Sequence, residues 1–303
     1  MKRVLVVGSS NTDMIIRVPR IPRPGETILG REFAMAGGGK GANQAVAAAR
    51  AGGRVTFVAR VGADVFGAQA LAGFEADGID TRFVSRTDGA PSGIALIQVD
   101  DRGENSISVA SGANAVLSVE DVGRADDAFA AADIVLVQLE SPIETVAAAV
   151  RKAGERGVPV ILNPAPARPL DDDILRRVAV LTPNEHEAGM LAGSAVTDER
   201  GIREGAARIR ARGPRTVVIT LGERGAYASS EEFEGLVPAF KVKSVDTTAA
   251  GDVFNGALAV ALAEKRPLEE ALRFAQAAAA LSVTRPGAQP SAPTRAEIEA
   301  FIT

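Results

Sequence analysis

Short apolar runs alternate with longer helical patterns along most of this chain, and this alternation restricts the folds available to it. The first run, residues 4–7, is rich in valine and ends at Gly8, which is typical of a strand buried in a parallel sheet. Similar runs occur at 56–61, 133–137, 158–162, 178–182 and 216–220. The helical patterns between them cover 42–51, 66–77, 145–156 and 203–212. The sequence therefore predicts an α/β fold of three layers, with a doubly wound, mostly parallel sheet between two layers of helices.

Two segments break the alternation and predict a second, smaller sheet. Residues 13–36 contain three prolines and short alternating pieces such as 27–29, and residues 93–109 alternate apolar with polar side chains around a turn at 101–103. Alternation predicts strands with one exposed face. We expect the two segments to pair into a small β-sheet lid over the edge of the main sheet. Two independent surface hairpins are the alternative.

The last quarter of the chain is helical, with Ala-rich patterns at 251–264 and 268–283 and a closing pattern at 295–301. No repeat, low-complexity tract or linker divides the sequence. We therefore expect one domain over residues 1–303, into which the lid strands are inserted.

Composition excludes several classes of function. The formal net charge is −4, whereas a nucleic-acid surface needs a basic excess. The chain has no cysteine and a single histidine, His186, so disulfides, thiolate chemistry and a histidine-rich zinc site are excluded. The apolar run at 4–7 is too short for the core of a signal peptide, and the Ala-rich stretches do not have the pattern of a membrane span. A cytoplasmic location is expected, with no membrane partner.

The strongest chemical motif is Asp246-Thr247-Thr248-Ala249-Ala250-Gly251-Asp252, which leads directly into an apolar helix. The first N–H groups of a helix lack partners, and the helix dipole makes that end positive. Ala249, Ala250 and Gly251 have no bulk that would keep an anion away. The motif therefore suits a phosphate, or the charge that develops on a transferred phosphoryl group. Asp252 in the first turn is a candidate catalytic residue, with helix capping as the alternative.

A second motif is Gly37-Gly38-Gly39-Lys40-Gly41-Ala42-Asn43, which also precedes a helical pattern. Glycines allow close approach of a backbone to a ligand, and Asn43 can hydrogen-bond a hydroxyl group. The motif is not a Walker loop, because no Ser or Thr follows the lysine, and it is not the dinucleotide GxGxxG turn. A mobile loop without a ligand is the alternative.

Polar residues follow several of the predicted strands. In open α/β sheets, ligands bind beyond the carboxyl ends of the strands. Asn11 and Asp13 follow the first strand and suit adjacent sugar hydroxyls, with an Asx turn as the alternative. The other polar or glycine residues at strand ends are Glu140, Asn163, Asn184, Glu187, Thr220 and Gly222. We expect them to share one cleft, and we expect His186 to lie on a surface turn.

Taken together, these motifs resemble the ribokinase branch of the PfkB family of sugar kinases. The two signatures of the family match residues 38–51 and 246–256, and the similarity extends over essentially the whole chain. It includes residues 138–142, 163–168, 182–185 and 283–291. The resemblance implies transfer of the γ-phosphoryl group of ATP to the 5-hydroxyl of D-ribose, with Mg²⁺ on the ATP phosphates and activation by K⁺. It also implies a homodimer formed through the lid strands.

The resemblance also implies a role for individual residues. Asp252 matches the catalytic base, and Ala249, Ala250 and Gly251 match the anion hole. The positions that match ribose contacts are Asn11, Asp13, Gly38, Gly39, Lys40, Asn43 and Glu140. The positions that match nucleotide contacts are Asn184, Thr220, Gly222, Gly225, Gly251 and Gln276. The positions that match a monovalent-cation site, built mostly of backbone carbonyls, are Asp246, Thr248, Ser282, Arg285, Gly287 and Ser291. Glu187 matches an outer-shell partner of Mg²⁺.

Two positions depart from the family pattern. Gln276 stands where related ribokinases often place His or Asn near the adenine, and Gly37 stands where a bulkier residue is common.

Three other functions have to be weighed against this one. The chain could be a PfkB-family kinase of a nucleoside, fructose or a deoxy sugar. A non-catalytic sugar sensor is disfavoured by the acidic residue at 252, which a sensor would not need. A nicotinamide-dependent oxidoreductase is disfavoured because no GxGxxG turn follows the first strand.

Overall fold

The computed structural model describes residues 1–302, and within this range it has 13 β-strands and 11 α-helices. The strands are β1 (Arg3–Val7), β2 (Asn11–Arg17), β3 (Glu32–Gly38), β4 (Arg54–Gly62), β5 (Asp80–Thr87), β6 (Gly93–Val99), β7 (Asn105–Ala110), β8 (Ile134–Val137), β9 (Val160–Leu162), β10 (Val180–Leu181), β11 (Thr216–Thr220), β12 (Ala226–Ser229) and β13 (Glu234–Val237).

The helices begin and end as follows. They are α1 (Lys40–Arg50), α2 (Val65–Ala76), α3 (Val119–Arg124), α4 (Asp126–Ala131), α5 (Ile143–Glu155), α6 (Asp172–Leu175), α7 (Glu185–Ala192), α8 (Glu199–Ala211), α9 (Ala250–Ala263), α10 (Leu268–Ser282) and α11 (Arg295–Ile302). None of these helices, within residues 1–302, is both long and apolar enough to cross a bilayer.

Nine of the strands form the main sheet, in the order β13-β12-β11-β10-β9-β8-β1-β4-β5. The strands from β11 to β5 in this order are parallel, and only β12 and β13 run antiparallel at one edge. The order grows outward from β1 in both directions, which is the doubly wound arrangement. The predicted α/β fold is therefore confirmed.

Two apolar cores cover the two faces of the main sheet. Successive residues of a strand point to opposite faces, so Val4 and Val6 lie in one core while Leu5 and Val7 lie in the other. The first core is formed with α1, α2, α9, α10 and α11, and the second with the helices from α3 to α8. Because both faces are covered, the central strands are apolar throughout, and this explains why they could be recognised as continuous runs.

The remaining four strands form a separate sheet in the order β3-β2-β6-β7. β2 pairs with β6 in parallel, and the outer pairs are antiparallel. This pairing joins the two segments that break the helical alternation, so the predicted small sheet is confirmed and the alternative of two independent hairpins is wrong. We call this sheet the lid.

Several boundaries differ from the prediction. The lid strands begin at Asn11 and continue to Gly38, two residues beyond the predicted segment at each end. Residues 27–29 are not a strand, because no strand in the described range 1–302 pairs with them and Leu29 lies in solvent. Of the predicted strand at 178–182, only Val180–Leu181 are assigned to β10, although hydrogen bonds to β9 and β11 continue at Ala179 and from Thr182 to Pro183.

The sequence did not predict β5, β12 and β13 of the main sheet. β5 and β13 are edge strands, which are covered on fewer sides and need less apolar content. β12 lies inside the sheet and is buried, but it is short and rich in Ala and Ser, so it has no run of large aliphatic side chains. The short helices α3, α4, α6 and α7 were also not predicted.

Candidate active site

The candidate site lies where the parallel strands of the main sheet end. The neighbouring strands β11, β10, β9, β8 and β1 run in one direction, so the residues that follow them meet at one edge of the sheet. These residues include Thr220, Asn184, Asn163, Glu140 and Asn11. The lid strand β2 starts at this edge and brings Asp13 close enough to Glu140 and Asp252 for their charges to interact. The expected residues thus meet at one edge of the sheet, except that the amide of Asn163 is buried and bonded to Gln44 and Thr182.

Asp252 occupies the third position of α9 and is only 6% exposed. Its Oδ2 accepts a hydrogen bond from Nδ2 of Asn43 at 3.0 Å, and its Oδ1 accepts one from Nε2 of Gln44 at 2.9 Å. Both donors are on α1, and neither is a backbone group of α9. Asp252 therefore does not cap its own helix through a hydrogen bond, and the capping alternative is wrong.

Burial raises the pKa of the Asp252 carboxyl above its ordinary value. The ammonium group of Lys40 and the hydrogen bonds from Asn43 and Gln44 oppose this rise without cancelling it. A carboxylate with a raised pKa accepts a proton more readily than an ordinary one. The environment of Asp252 thus favours a role as a proton acceptor.

The first turn of α9 is open to a ligand. Its cap residue, Ala249, has φ 58°, and Gly251 is exposed. The N–H groups of Gly251 and Asp252 have no hydrogen-bond partner within residues 1–302. These donors at a positive helix end form a site for an anion beside the Asp252 carboxylate.

The start of α1 is attached to the strand ends by Glu140. Its Oε2 accepts hydrogen bonds from Oγ of Ser9 at 2.6 Å and from the backbone N of Lys40 at 3.0 Å. Burial acts to lower the pKa of Lys40, but the carboxylates of Asp252, Glu140 and Glu187 outweigh it and raise that pKa. Lys40 is therefore a cation held among acidic groups at the base of the cleft.

Asp13 faces the same cleft from the lid. Its carboxylate accepts no hydrogen bond from any residue in the range 1–302, although the residue is only 8% exposed. Burial, with added repulsion from Glu140 and Asp252, raises the pKa of Asp13 to about 6. A Cβ atom at Gly38 would overlap this carboxylate, which explains why the neighbouring lid strand carries glycine there.

The candidate nucleotide residues lie further along the same edge. Asn184 is exposed and forms a reciprocal capping box with Glu187 at the start of α7, with bonds of 2.8 and 2.9 Å. Thr220 pairs with Asn184 through an isolated bridge, and a single turn at Gly222–Arg224 follows it. Nε2 of Gln276, on α10, contacts the carbonyl oxygen of Val237 at 3.5 Å. His186 is exposed, as predicted, but it lies in the first turn of the helix α7 and not on a surface turn.

The residues predicted to bind a monovalent cation lie in and beside two loops, one before α9 and one after α10. Oδ1 of Asp246 accepts a hydrogen bond from the backbone N of Thr248 at 2.9 Å, and Oδ2 accepts one from the backbone N of Gly287 at 2.8 Å. Burial acts to raise the pKa of Asp246, but these hydrogen bonds outweigh it and lower that pKa. The carboxylate thus holds the loop before α9 against the loop after α10. The hydroxyls of Ser282 and Ser291 bond carbonyls of their own turns, and the guanidinium of Arg285 pairs with Glu297.

The structure adds residues that sequence reasoning missed. Gln44 contacts Asp252 directly, and Asn114 donates to Oδ1 of Asn11 at 2.7 Å. Both side chains are almost fully buried. The sequence did contain a signal for Gln44, because this long polar side chain directly precedes the small and apolar stretch at 45–49. Asn114 lies in a turn after β7 and carries no comparable signal.

Comparison with known proteins gives consistent matches over the full length. Residues 1–295 match the pfkB family carbohydrate kinases. The chain is 45% identical to a ribokinase of Haemophilus influenzae, with 99% of this chain and 98% of that protein covered. It is 42% identical to a ribokinase of Bacillus subtilis, with both chains fully covered. The structure of Arabidopsis thaliana ribokinase complexed with ribose and ATP superimposes with a TM-score of 0.92 at 33% identity, over 100% of this chain and 98% of that one.

Proposed function

The chain belongs to the pfkB family of carbohydrate kinases, and on that premise we propose that it transfers the γ-phosphoryl group of ATP to O5 of D-ribose, giving ribose 5-phosphate and ADP. As a sugar kinase it is a phosphotransferase with an alcohol as acceptor. Its ribokinase relatives, at 45% and 42% identity over their full length, support ribose as the substrate.

The observation that carries the proposal is the pairing of a buried carboxylate with an open helix end. The Asp252 carboxylate lies beside the N–H groups of Gly251 and of its own backbone, which have no hydrogen-bond partner among residues 1–302. In the proposed mechanism the sugar hydroxyl donates its proton to Asp252 while its oxygen bonds to the γ-phosphorus and the bond to ADP breaks. The helix N-terminus, with Ala249 and Ala250, stabilises the negative charge on the transferred group.

The sugar is held by side chains that converge from the lid, α1 and the strand ends. Asp13 and Glu140 accept hydrogen bonds from hydroxyl groups, while Asn11 and Lys40 donate. Oδ1 of Asn43 is buried and has no partner within residues 1–302, so an acceptor is available there for a further hydroxyl. Gly38 and Gly39 leave room for the ring. This set of partners fits a polyhydroxylated ligand.

The nucleotide extends from α9 along the sheet edge. Asn184, Thr220, Gly222 and Gly225 are assigned to the phosphates and ribose of ATP, and Gln276 to the adenine side. Mg²⁺ bound to the ATP phosphates would neutralise their charge during transfer. One oxygen of Glu187 caps the Asn184 backbone, which leaves its other oxygen for a water of the Mg²⁺ shell.

A potassium site is proposed between the two loops that Asp246 joins. The residues assigned to it are Asp246, Thr248, Ser282, Arg285, Gly287 and Ser291, and most would act through carbonyl oxygens. Oxygen ligands suit a monovalent cation, and the Asp246 carboxylate supplies the negative charge nearby. A bound cation would hold the loop that precedes α9 and would thereby position the anion hole.

We further propose that the protein is a homodimer formed through the lid. Side chains alternate between the two faces of the lid, and register places Asp13, Ile107 and Val109 on the face toward the cleft. The other face carries Phe33 and Leu96, which are both more than half exposed. An exposed apolar face of this kind favours association with a second copy. The cytoplasmic location expected from the sequence stays a prediction.

The test of the function is ADP release from ATP and Mg²⁺ with a panel of D-ribose, 2-deoxyribose, fructose and a nucleoside. We expect the highest kcat/KM with ribose, and more activity in K⁺ than in Na⁺. The control is Asp252→Asn, which should lower kcat by about 10²–10⁴-fold with little change in the KM for ribose. Preference for another acceptor would overturn ribose as the substrate, and near-normal turnover of Asp252→Asn would overturn the role of Asp252.

A further inference from the structure

A chain of buried amide side chains lies behind Asp252, on the side away from the open helix end. Nε2 of Gln138 donates to Oε1 of Gln44 at 2.6 Å. Nε2 of Gln44 in turn donates to Oδ1 of Asp252 at 2.9 Å and to Oδ1 of Asn163 at 3.1 Å. Nδ2 of Asn163 donates to the carbonyl oxygen of Thr182 at 3.0 Å. The chain thus links α1, α9 and the ends of β8, β9 and β10.

The direction of these hydrogen bonds is determined by the carboxylate. An ionised Asp accepts and cannot donate, so Gln44 must turn its amide nitrogen toward Asp252 and its oxygen away. The oxygen then accepts a hydrogen bond from the amide nitrogen of Gln138. Gln44 is fully buried, so water does not compete for its bonds. A buried amide whose groups are all paired has one stable orientation.

From this geometry we propose that Gln44 is a positioning residue of the kinase reaction, which holds the Asp252 carboxylate so that a free lone pair faces the acceptor hydroxyl. The proposal rests on the proposed function, in which Asp252 is the base. A carboxylate has about four lone-pair positions, and Gln44 and Asn43 each occupy one. Asn43 approaches from the cleft, whereas Gln44 approaches from the interior and does not compete with the sugar.

Other charges also face Asp252. Lys40 lies on α1, Glu140 follows β8, Asp13 comes from the lid, and Glu187 lies on α7. None of them is hydrogen-bonded to Asp252. The amides of Asn43 and Gln44 are thus its only hydrogen-bond donors from side chains within residues 1–302, and of these two Gln44 is the one that is fully buried.

The decisive variant is Gln44→Met, which keeps the size of the side chain and removes the donor. A hydrogen bond to the charged form of Asp252 favours that form, so losing the bond should raise the pKa of Asp252. The acid limb of the pH profile of kcat should therefore move to higher pH by roughly 1–2 units. The plateau value of kcat above the acid limb should also fall, by about tenfold, because Asp252 is less well oriented. The KM for ribose should change by less than about twofold, since Gln44 does not touch the sugar. An unchanged acid limb and plateau, or an effect on KM alone, would overturn the proposal.

Two further variants separate positioning from packing. Gln44→Glu keeps the shape of the side chain but places an acceptor against Asp252, so it should also move the acid limb to higher pH and lower kcat. If this variant had the wild-type pH profile, packing alone would account for the effect of position 44. Gln138→Met breaks the amide chain one bond further away and keeps the donor to Asp252. It should shift the acid limb by less than about half a pH unit. A shift as large as that of Gln44→Met would contradict the role assigned to Gln44.

A measurement that does not depend on catalytic turnover tests this inference separately from the proposed function. Carbon-13 NMR of the side-chain carboxyl groups follows the titration of Asp252 in the free protein, with Asp252→Asn to assign the signal. We expect the midpoint to rise in Gln44→Met and to stay near the wild-type value in Gln138→Met. Equal midpoints in the three proteins would overturn the inference, even if ribose is phosphorylated. A clear shift would support it even if the sugar panel gave another substrate.

Discussion

At the scale of single residues, the cleft contains a carboxylate that the proposed sugar binding uses and that folding does not need. Asp13 is nearly buried, accepts no hydrogen bond from residues 1–302, and has a pKa of about 6 in the folded protein. Its pKa in the unfolded chain is near the ordinary 3.8. The folded state therefore binds more protons than the unfolded state between these values, so the contribution of Asp13 lowers stability as pH rises from about 4 to about 6.

We expect Asp13→Asn to be more stable than the wild type at pH 8 by up to about 3 kcal/mol, because the variant has no charge to desolvate. The gain should shrink as the pH is lowered toward 5, and ribose phosphorylation should be lost. Thermal unfolding at pH 5 and pH 8 measures the effect. The control is Asp88→Asn, an exposed position, which should leave the unfolding midpoint unchanged at both pH values. An Asp13→Asn protein that is less stable than the wild type at pH 8 would contradict this account.

At the scale of elements, the distance between α1 and α9 decides whether the amides reach Asp252. A Cβ atom at Gly256 would lie 2.6 Å from the Cβ of Ala47 and 2.6 Å from the carbonyl oxygen of Gln44. Real side chains do not approach so closely, so the helices can pack at this distance only because position 256 is glycine. The same contact keeps Asn43 and Gln44 within hydrogen-bond distance of α9.

We therefore expect Gly256→Ala to push the two helices apart, lower stability by about 1–3 kcal/mol and lower kcat as well. The control is Gly154→Ala on α5, where an added Cβ meets open space. That change should be neutral or stabilising, because alanine favours a helix more than glycine does. Denaturant unfolding and ADP release measure both effects. Normal stability and kcat in Gly256→Ala would show that the helix distance is not critical.

At the scale of the whole molecule, the lid connects the cleft to the proposed partner subunit. One face of the lid carries Asp13, and the other carries the exposed apolar side chains of Phe33 and Leu96. Two lysines in place of these residues, Phe33→Lys with Leu96→Lys, should convert the proposed dimer to a monomer. Burying a charge without a partner is costly, whereas the monomer leaves it in water.

Light scattering coupled to size-exclusion chromatography measures the mass of each protein. The control is Leu236→Lys, an equally exposed leucine on the edge strand β13 of the other sheet, which should remain dimeric. A monomeric wild type, or a dimer that survives both lid substitutions, would contradict dimerisation through the lid.

The sequence by itself determined the fold class, the small second sheet and the two glycine-containing motifs. These features are local: buried strands are continuous apolar runs, lid strands alternate, and a small-residue loop before a helix suits an anion wherever it lies in space. The edge strands β5 and β13 were not predicted for the same reason, because sparsely covered strands carry little apolar signal. The buried strand β12 was not predicted because it is short and its side chains are mostly small.

Only the tertiary structure decided how the site works. Gln44 and Asp252 are 208 residues apart in the chain, and Asn11 and Asn114 are 103 apart, yet each pair is hydrogen-bonded. In the local sequence, Gln44 is recognisable only as a long polar side chain beside small apolar ones, and Asp252 cannot be distinguished from a helix cap. A pKa depends on the burial and charges that all neighbouring elements contribute together, so the raised values of Asp252 and Asp13 exist only after α1, α9 and the lid have assembled.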